Sequence, residues 1–199
     1  MVAAAPVRIA LDAHVVGRHQ TGNETYVIEL AGALAARSDV DLVAFLDASA
    51  EWPGSPVAID RLRIGTPFLR LPLELPYRAA RSGAQLLHVQ YVVPPVTMVP
   101  LVTTIHDISF EDLRDAFPRR TELRLKATVR FAARRSRAVI ASSSYTRDRI
   151  LDRYGLDPAN VHVAPLGVGA GWHPVPPAER EALLAPLGLP PRFAMAVGN

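Results

Sequence analysis

Residues 101–110, LVTTIHDISF, set an imidazole beside a carboxylate, His106 and Asp107, at the end of an apolar run. A histidine there can hydrogen-bond a hydroxyl and order reacting groups, and the carboxylate can orient the ring, bind a hydroxyl or cap the next turn. The purely structural alternative is a strand-end histidine satisfied by Asp107 or by a backbone carbonyl. A second candidate is GRHQTGNE, residues 17–24. Gly17 and Gly22 let the backbone turn tightly and approach a ligand, and the first-turn N–H groups of a following helix present the positive end of its dipole, a place for phosphate. The spacing is not that of G-x-G-x-x-G, so a plain capped turn is the competing explanation. Gln90 and Tyr91, ending LLHVQY, offer an amide and an aromatic face. Ser142, Ser143 and Ser144 precede a helical pattern and read as capping residues at an edge, not as nucleophiles, because no G-x-S-x-G or evident base accompanies them.

Several chemistries are excluded or disfavoured. The chain has no cysteine, so thiolate catalysis, disulfides and cysteine-ligated metals are absent. His14, His19, His88, His106, His162 and His173 form no H-x-x-x-H or H-E-x-x-H pattern, and no metal or other cofactor is expected. The formal net charge of +3 and the pI of 9.7 reflect arginine usage, Lys126 being the only lysine. That charge is too small and too spread to indicate nucleic acid. The densest basic stretch, RFAARRSR at 130–137, reads first as a solvated helix face and second as a phosphate or peripheral-membrane contact. The start, MVAAAPVRIALDAH, is neither a signal peptide nor a membrane span, which leads to the expectation of a cytoplasmic chain.

The elements that must position these residues alternate. Strands are expected at 7–12, 40–47, 59–65, 85–90, 99–106, 137–143 and 160–167, most of them too continuously apolar for a half-exposed sheet. Helices are expected at 21–37, where Thr21 and Glu24 have capping-box spacing, at 119–135 after Pro118, and at 145–154 ending at Gly155. The proline-interrupted 66–77 reads as a loop leading into a short helix. This alternation predicts an α/β fold: a Rossmann-like, doubly wound, mostly parallel sheet with helices on both faces and ligands at the carboxyl ends of its strands. Length and composition, 199 residues of which 49% are apolar, suit one core and the beginning of a second. The expected organisation is a Rossmann-like domain over 1–174, then a linker and the first strand of a truncated domain over 175–199, with FAMAVGN as that strand.

The Gly-containing turn leading into TGNETYVIEL, then LVTTIHDISF, then RAVIASSSYTRDRILDRYGLDPANVHVAPLGV stand in an order and spacing that resemble the amino-terminal, acceptor-side half of the family 4 retaining glycosyltransferases of GT-B architecture. Leu166 and Gly169 depart from the resemblance, the family usually carrying Asn and Asp there. It implies a transferase moving a sugar from a nucleoside diphosphate sugar to a hydroxyl on a sugar, lipid or small molecule, without metal and without a protein nucleophile. It further implies that Gly17, Thr21, Gly22 and Asn23 contact the donor diphosphate, that His106 and Asp107 lie beside donor sugar and acceptor, and that Gln90, Tyr91, Ser143 and Ser144 face the acceptor. A carboxy-terminal donor domain is implied as partner, so this stretch alone is expected to be inactive. The alternatives are a stand-alone Rossmann-like module binding a nucleotide or phosphosugar for regulation, and a GT-B epimerase or phosphorylase.

Overall fold

A computed structural model describes residues 5–18, 21–113, 116–169, 172–189 and 192–196. The chain divides into two compact units, Met1–Leu166 and Gly167–Asn199. In the first, seven strands form one all-parallel sheet: β1 Val7–Asp12, β2 Val40–Asp47, β3 Ala58–Leu62, β4 Leu86–Gln90, β5 Leu101–Ile105, β6 Ala138–Ala141 and β7 Val161–Val163, in the order β3-β2-β1-β4-β5-β6-β7. The helices are α1 Thr21–Ala35, α2 Pro67–Leu69, α3 Leu75–Arg81, α4 Ser109–Asp112, α5 Arg119–Arg135, α6 Ser144–Tyr154 and, in the second unit, α7 Pro177–Leu184. Every apolar run read as a strand in the first unit becomes one: β1 and β2 keep the expected bounds, β3 starts one residue earlier and ends sooner, and the rest are shorter.

The strand order explains which face each helix covers. Right-handed connections that step one way across a parallel sheet lie on one face, and those that step back lie on the other. From β1 to β2 the chain passes through α1, whose Val27 and Ala31 pack on Ile9, Leu11, Leu42, Ala44 and Leu46. The return steps place α3, α5 and α6 on the opposite face. There Leu75, Ala79 and Ala132 meet Ala10, Phe45, Leu87 and Leu101. Further along, Val129, Ala133, Ile150 and Tyr154 meet Ile105, Val139, Ala141 and Val161. Alternate residues of each central strand therefore go to different cores, which is why these strands read as unbroken apolar runs.

One expectation is corrected. Segment 66–77 is helical almost throughout: α2, a π-helical turn at Arg70–Glu74, then α3. Pro67 and Pro76 sit in first turns, where a missing N–H costs nothing, and Pro72 falls in the wide turn, which Leu75 N–H closes on the carbonyl of Arg70. Residues 193–196 of the expected terminal strand have no regular structure, and 197–199 lie outside the described residues. A strand needs a ladder, and the described part of that unit contains only α7, a 3₁₀ turn at Ala185–Leu187 and the left-handed Gly188 that ends it. Among the described residues no helix is long and apolar enough to cross a membrane.

Glu74 ties the corrected segment to β3. Its carboxylate accepts from the N–H groups of Arg63 (2.7 Å) and Ile64 (2.8 Å) and from Arg78 Nε (2.9 Å), while the side chain is buried. Burial by itself raises its pKa, yet these donors outweigh burial and hold it below the ordinary glutamate value. Glu74→Gln is expected to cost about 1–3 kcal/mol in chemical denaturation at neutral pH. Because the folded-state pKa is lowered, the carboxylate's stabilisation is present above the ordinary glutamate range and disappears as pH falls through the lowered value. The gap between variant and wild type should therefore narrow in acid.

Candidate functional site at the strand reversal

The strand order reverses between β1 and β4, and the loops leaving β1, β4, β5 and β6 emerge at the carboxyl edge around that point. His106, one residue past β5, is held there from several sides. Its carbonyl accepts from Ser142 Oγ at 2.6 Å and Thr146 Oγ1 at 3.2 Å, which pins β5's end to β6 and to the first turn of α6. Its ring meets Tyr26 of α1 edge-on, with centroids 4.6 Å apart at 82°, and Tyr91 at 5.8 Å. Gln90 and Thr104 are register partners across β4 and β5. That register brings Gln90 Oε1 to 3.0 Å from His106 Nε2, while Gln90 Nε2 donates to the carbonyl of Asn23 at 3.4 Å. With the amide oriented by Asn23, its oxygen faces the imidazole and Nε2 carries the proton. Nδ1 is then the ring's acceptor, and it has no protein partner.

Beneath this chain lies a second one. Thr104 Oγ1 is 2.8 Å from both Tyr26 Oη and His88 Nε2. Burial, with His106 nearby, depresses the pKa of His88 to about 4. Burial also lowers that of His106, the charge of Asp107 partly opposing. Both imidazoles are neutral at pH 7 and serve as hydrogen-bonding groups. The tyrosines move the other way, Tyr26 raised by burial against its bond to Thr104, and Tyr91 raised by burial and by the adjacent Asp107 carboxylate.

The loop after β1 needs its glycine. Gly17 has φ +81°, and a Cβ there would lie 3.2 Å from that of Ala50. Glu24, the expected capping-box acid, instead reaches back to the Gly17 N–H at 2.8 Å, because the left-handed turn presents that amide to the first turn of α1. Gly22 is exposed and has nothing within 4 Å of a would-be Cβ. The side chain of Thr21 and residue His19 lie outside the described residues. On the other face, buried Asp12 at the end of β1 stands 3.0 Å from His14 Nδ1 and 3.7 Å from Arg70 Nη1. Burial raises its pKa, but His14 and Arg70 together leave it lowered. Arg70 keeps Nε and Nη1 without hydrogen-bond partners.

The remaining candidates are placed as follows. Tyr91 has φ +55°, at the centre of a three-residue turn closed by Val92 N–H on the Gln90 carbonyl, a strained conformation at a strand end. Asp107 Oδ1 accepts from the N–H and Oγ of Ser109 at 2.9 and 2.7 Å, and Oδ2 lies 3.4 Å from Tyr91 Oη, so this carboxylate caps the turn into α4. Ser143 is the N-cap of α6, accepting from Thr146 N–H at 3.1 Å, and Ser144 is exposed on the first turn. Asn23, Gln90, Tyr91, His106 and Asp107 are thus brought together, and Ser143 and Ser144 join them only through the α6 cap. Sequence reasoning missed Tyr26, His88 and Thr104; Tyr26, two residues beyond TGNE, and a polar pair inside apolar strands were the available signals. Among the described residues no three His, Cys, Asp or Glu side chains are placed to hold a metal.

The buried imidazoles set an acid dependence. The folded chain binds a proton at His88 less readily than the unfolded chain does, so stability falls as pH drops from the ordinary value of 6.5 towards about 4 and the loss saturates below that. Unfolding free energies at pH 7 and pH 5 should show this loss, about 2 kcal/mol for His88 alone, and His88→Gln should flatten the slope.

A family model described as Glycosyltransferase Family 4 matches residues 21–170. No curated protein matches the chain significantly. Among solved structures, a glycosyltransferase from Rickettsia africae ESF-5 superposes with a TM-score of 0.53 at 15% identity, over 94% of this chain and 50% of its own. Anabaena Alr3699/HepE in complex with UDP gives 0.57 at 19% over 92% and 50%, and its complex with UDP-glucose gives 0.59 at 17% over 91% and 50%. At such identities the likeness is one of fold, and this chain spans half the length of each of these proteins. With the family model covering most of the sheet and the whole of the His106 cluster, the chain belongs to glycosyltransferase family 4.

Proposed function

We propose that this chain is the acceptor-side half of a retaining glycosyltransferase that moves a sugar from a nucleoside diphosphate sugar to a hydroxyl acceptor. The observation that carries the proposal is the Asn23–Gln90–His106 chain, which couples the amino end of α1 to a neutral histidine at the strand reversal. In this reading the diphosphate lies against the helix end at Gly22 and Asn23, while Gly17, whose N–H is taken by Glu24, contributes the shape of the turn. The acceptor oxygen forms its bond to the anomeric carbon as the bond from that carbon to the diphosphate oxygen breaks, and the acceptor's proton passes to the leaving diphosphate. His106 lies beside the reacting groups and helps order them, and its neutral ring suits a hydrogen-bonding role. The UDP and UDP-glucose complexes of the Anabaena protein support a nucleotide-sugar donor. The rest of the donor's contacts belong to a carboxy-terminal domain, so the 199-residue chain by itself should turn nothing over.

In the full-length enzyme, His106→Ala should lower kcat on the order of a hundredfold, the usual effect of removing one positioned hydrogen-bonding group. The ring also packs between two tyrosines and bonds Gln90, so its loss should cost about 1–2 kcal/mol of stability. Gln90→Leu, which frees the imidazole while keeping its bulk, should reduce kcat in the same direction with a smaller change in Tm. Measuring kcat and Tm for both variants tests the proposal: unchanged kcat with lowered Tm would reduce the cluster to a packing device.

A further inference from the structure

Helix α5 carries an outer face whose charges have no acidic partner among the described residues. At 100° per residue, Arg120, Leu123, Arg124, Arg130, Phe131 and Arg135 fall within an arc of about 140°, which they share with Ala127 and with Arg134, whose guanidinium donates to the Tyr154 carbonyl. All six are exposed, Leu123 at 59% and Phe131 at 46%, whereas Val129, Ala132 and Ala133 on the opposite side are buried. None of those four arginines has an ion pair among the described residues. Neighbouring α6 shows the ordinary solvated arrangement: Arg147 pairs with Asp148, Arg149 with Asp112 and Asp152, and Arg153 with Asp112. The acid of α5 itself, Glu122, is bound to Lys126 at 2.6 Å, outside the arc.

The same layer exposes anchors. Leu75 and Ala79 of α3 share a core with Ala132 of α5, so the two helices lie on one face of the sheet. In the 67–77 segment Phe68 (86% exposed), Leu73 and Tyr77 are open to solvent, and the Arg81 guanidinium sits 5.7 Å from the Tyr77 ring centre. Glu74, the only acid between Arg61 and Gln85, is buried with both carboxylate oxygens engaged.

We propose that the outer face of α5 docks on an anionic lipid bilayer. Unpaired arginines at regular spacing supply attraction to acidic headgroups, and leucine and phenylalanine between them enter the headgroup boundary. A polyanion in solution has charge to offer those arginines and nothing to cover Leu123. This docking does not depend on whether sugar is transferred, so the two readings can fail separately.

The test is co-sedimentation of the 199-residue chain with phosphatidylcholine vesicles, with and without about one third phosphatidylglycerol, at moderate salt. Binding to the anionic vesicles should be at least about tenfold tighter than to the neutral ones and should weaken with salt. Arg124→Gln combined with Arg130→Gln should lower it about 25-fold, at roughly fivefold per charge. Leu123→Ser with Phe131→Ser should lower it several-fold while leaving the salt dependence unchanged, and circular dichroism should show these surface variants folded. Absence of vesicle binding, equal binding to neutral vesicles, or charge variants that bind like wild type would overturn the proposal. Binding that ignores the Leu123 and Phe131 changes and is matched by heparin would also overturn it, as a general polyanion surface.

Discussion

The parallel pairing of β1 with β4 is the constraint on which the rest of the molecule depends. Once Ile9, Ala10 and Leu11 lie opposite Leu86, Leu87 and His88, the chain has stepped one way to β2 and β3 and must step back for everything later. Right-handed crossovers then put α1 alone on one face and α3, α5 and α6 on the other. The carboxyl edge at the reversal is where loops from both halves of the sheet approach one another.

That edge is built from polar groups packed deeply enough to have fixed roles. Thr104 is a buried strand residue whose hydroxyl joins Tyr26 of α1 to His88 of β4. A buried hydroxyl or imidazole without a partner costs on the order of 1–3 kcal/mol, so the three groups hold one another in a single arrangement. His106 sits on top of this layer, its carbonyl bound from β6 and α6 and its ring bound from β4. Its position is therefore set by four elements together, and its low proton affinity follows from the same burial.

Neighbouring helices α5 and α6, on one face of the sheet, are electrically different for a related reason. Where arginines fall opposite acids brought by another element, as Arg149 and Arg153 do with Asp112, the surface is neutralised, and that carboxyl is pulled down to about 2. Along the outer side of α5 the arginines have no ion pair among the described residues, and they keep their field.

Much of the fold was legible in the chain itself. Strand positions followed from apolar run length and helix limits from Pro118, the serine cluster and Gly155, because both signals act over a few neighbouring residues. The sequence also singled out His106 and the Gly17 turn. It misjudged residues 66–77, since three prolines weigh against a helix locally, and only Glu74 bridging back to β3 shows why a widened turn is stable there. It could not distinguish the roles of His106 and Asp107, adjacent in the chain but different in use: one bonded to Gln90 sixteen residues earlier, the other occupied with Ser109. Strand spacing and helix caps are local properties that composition and period can carry. Which imidazole meets which amide depends on register between strands, and register exists only when the sheet has formed.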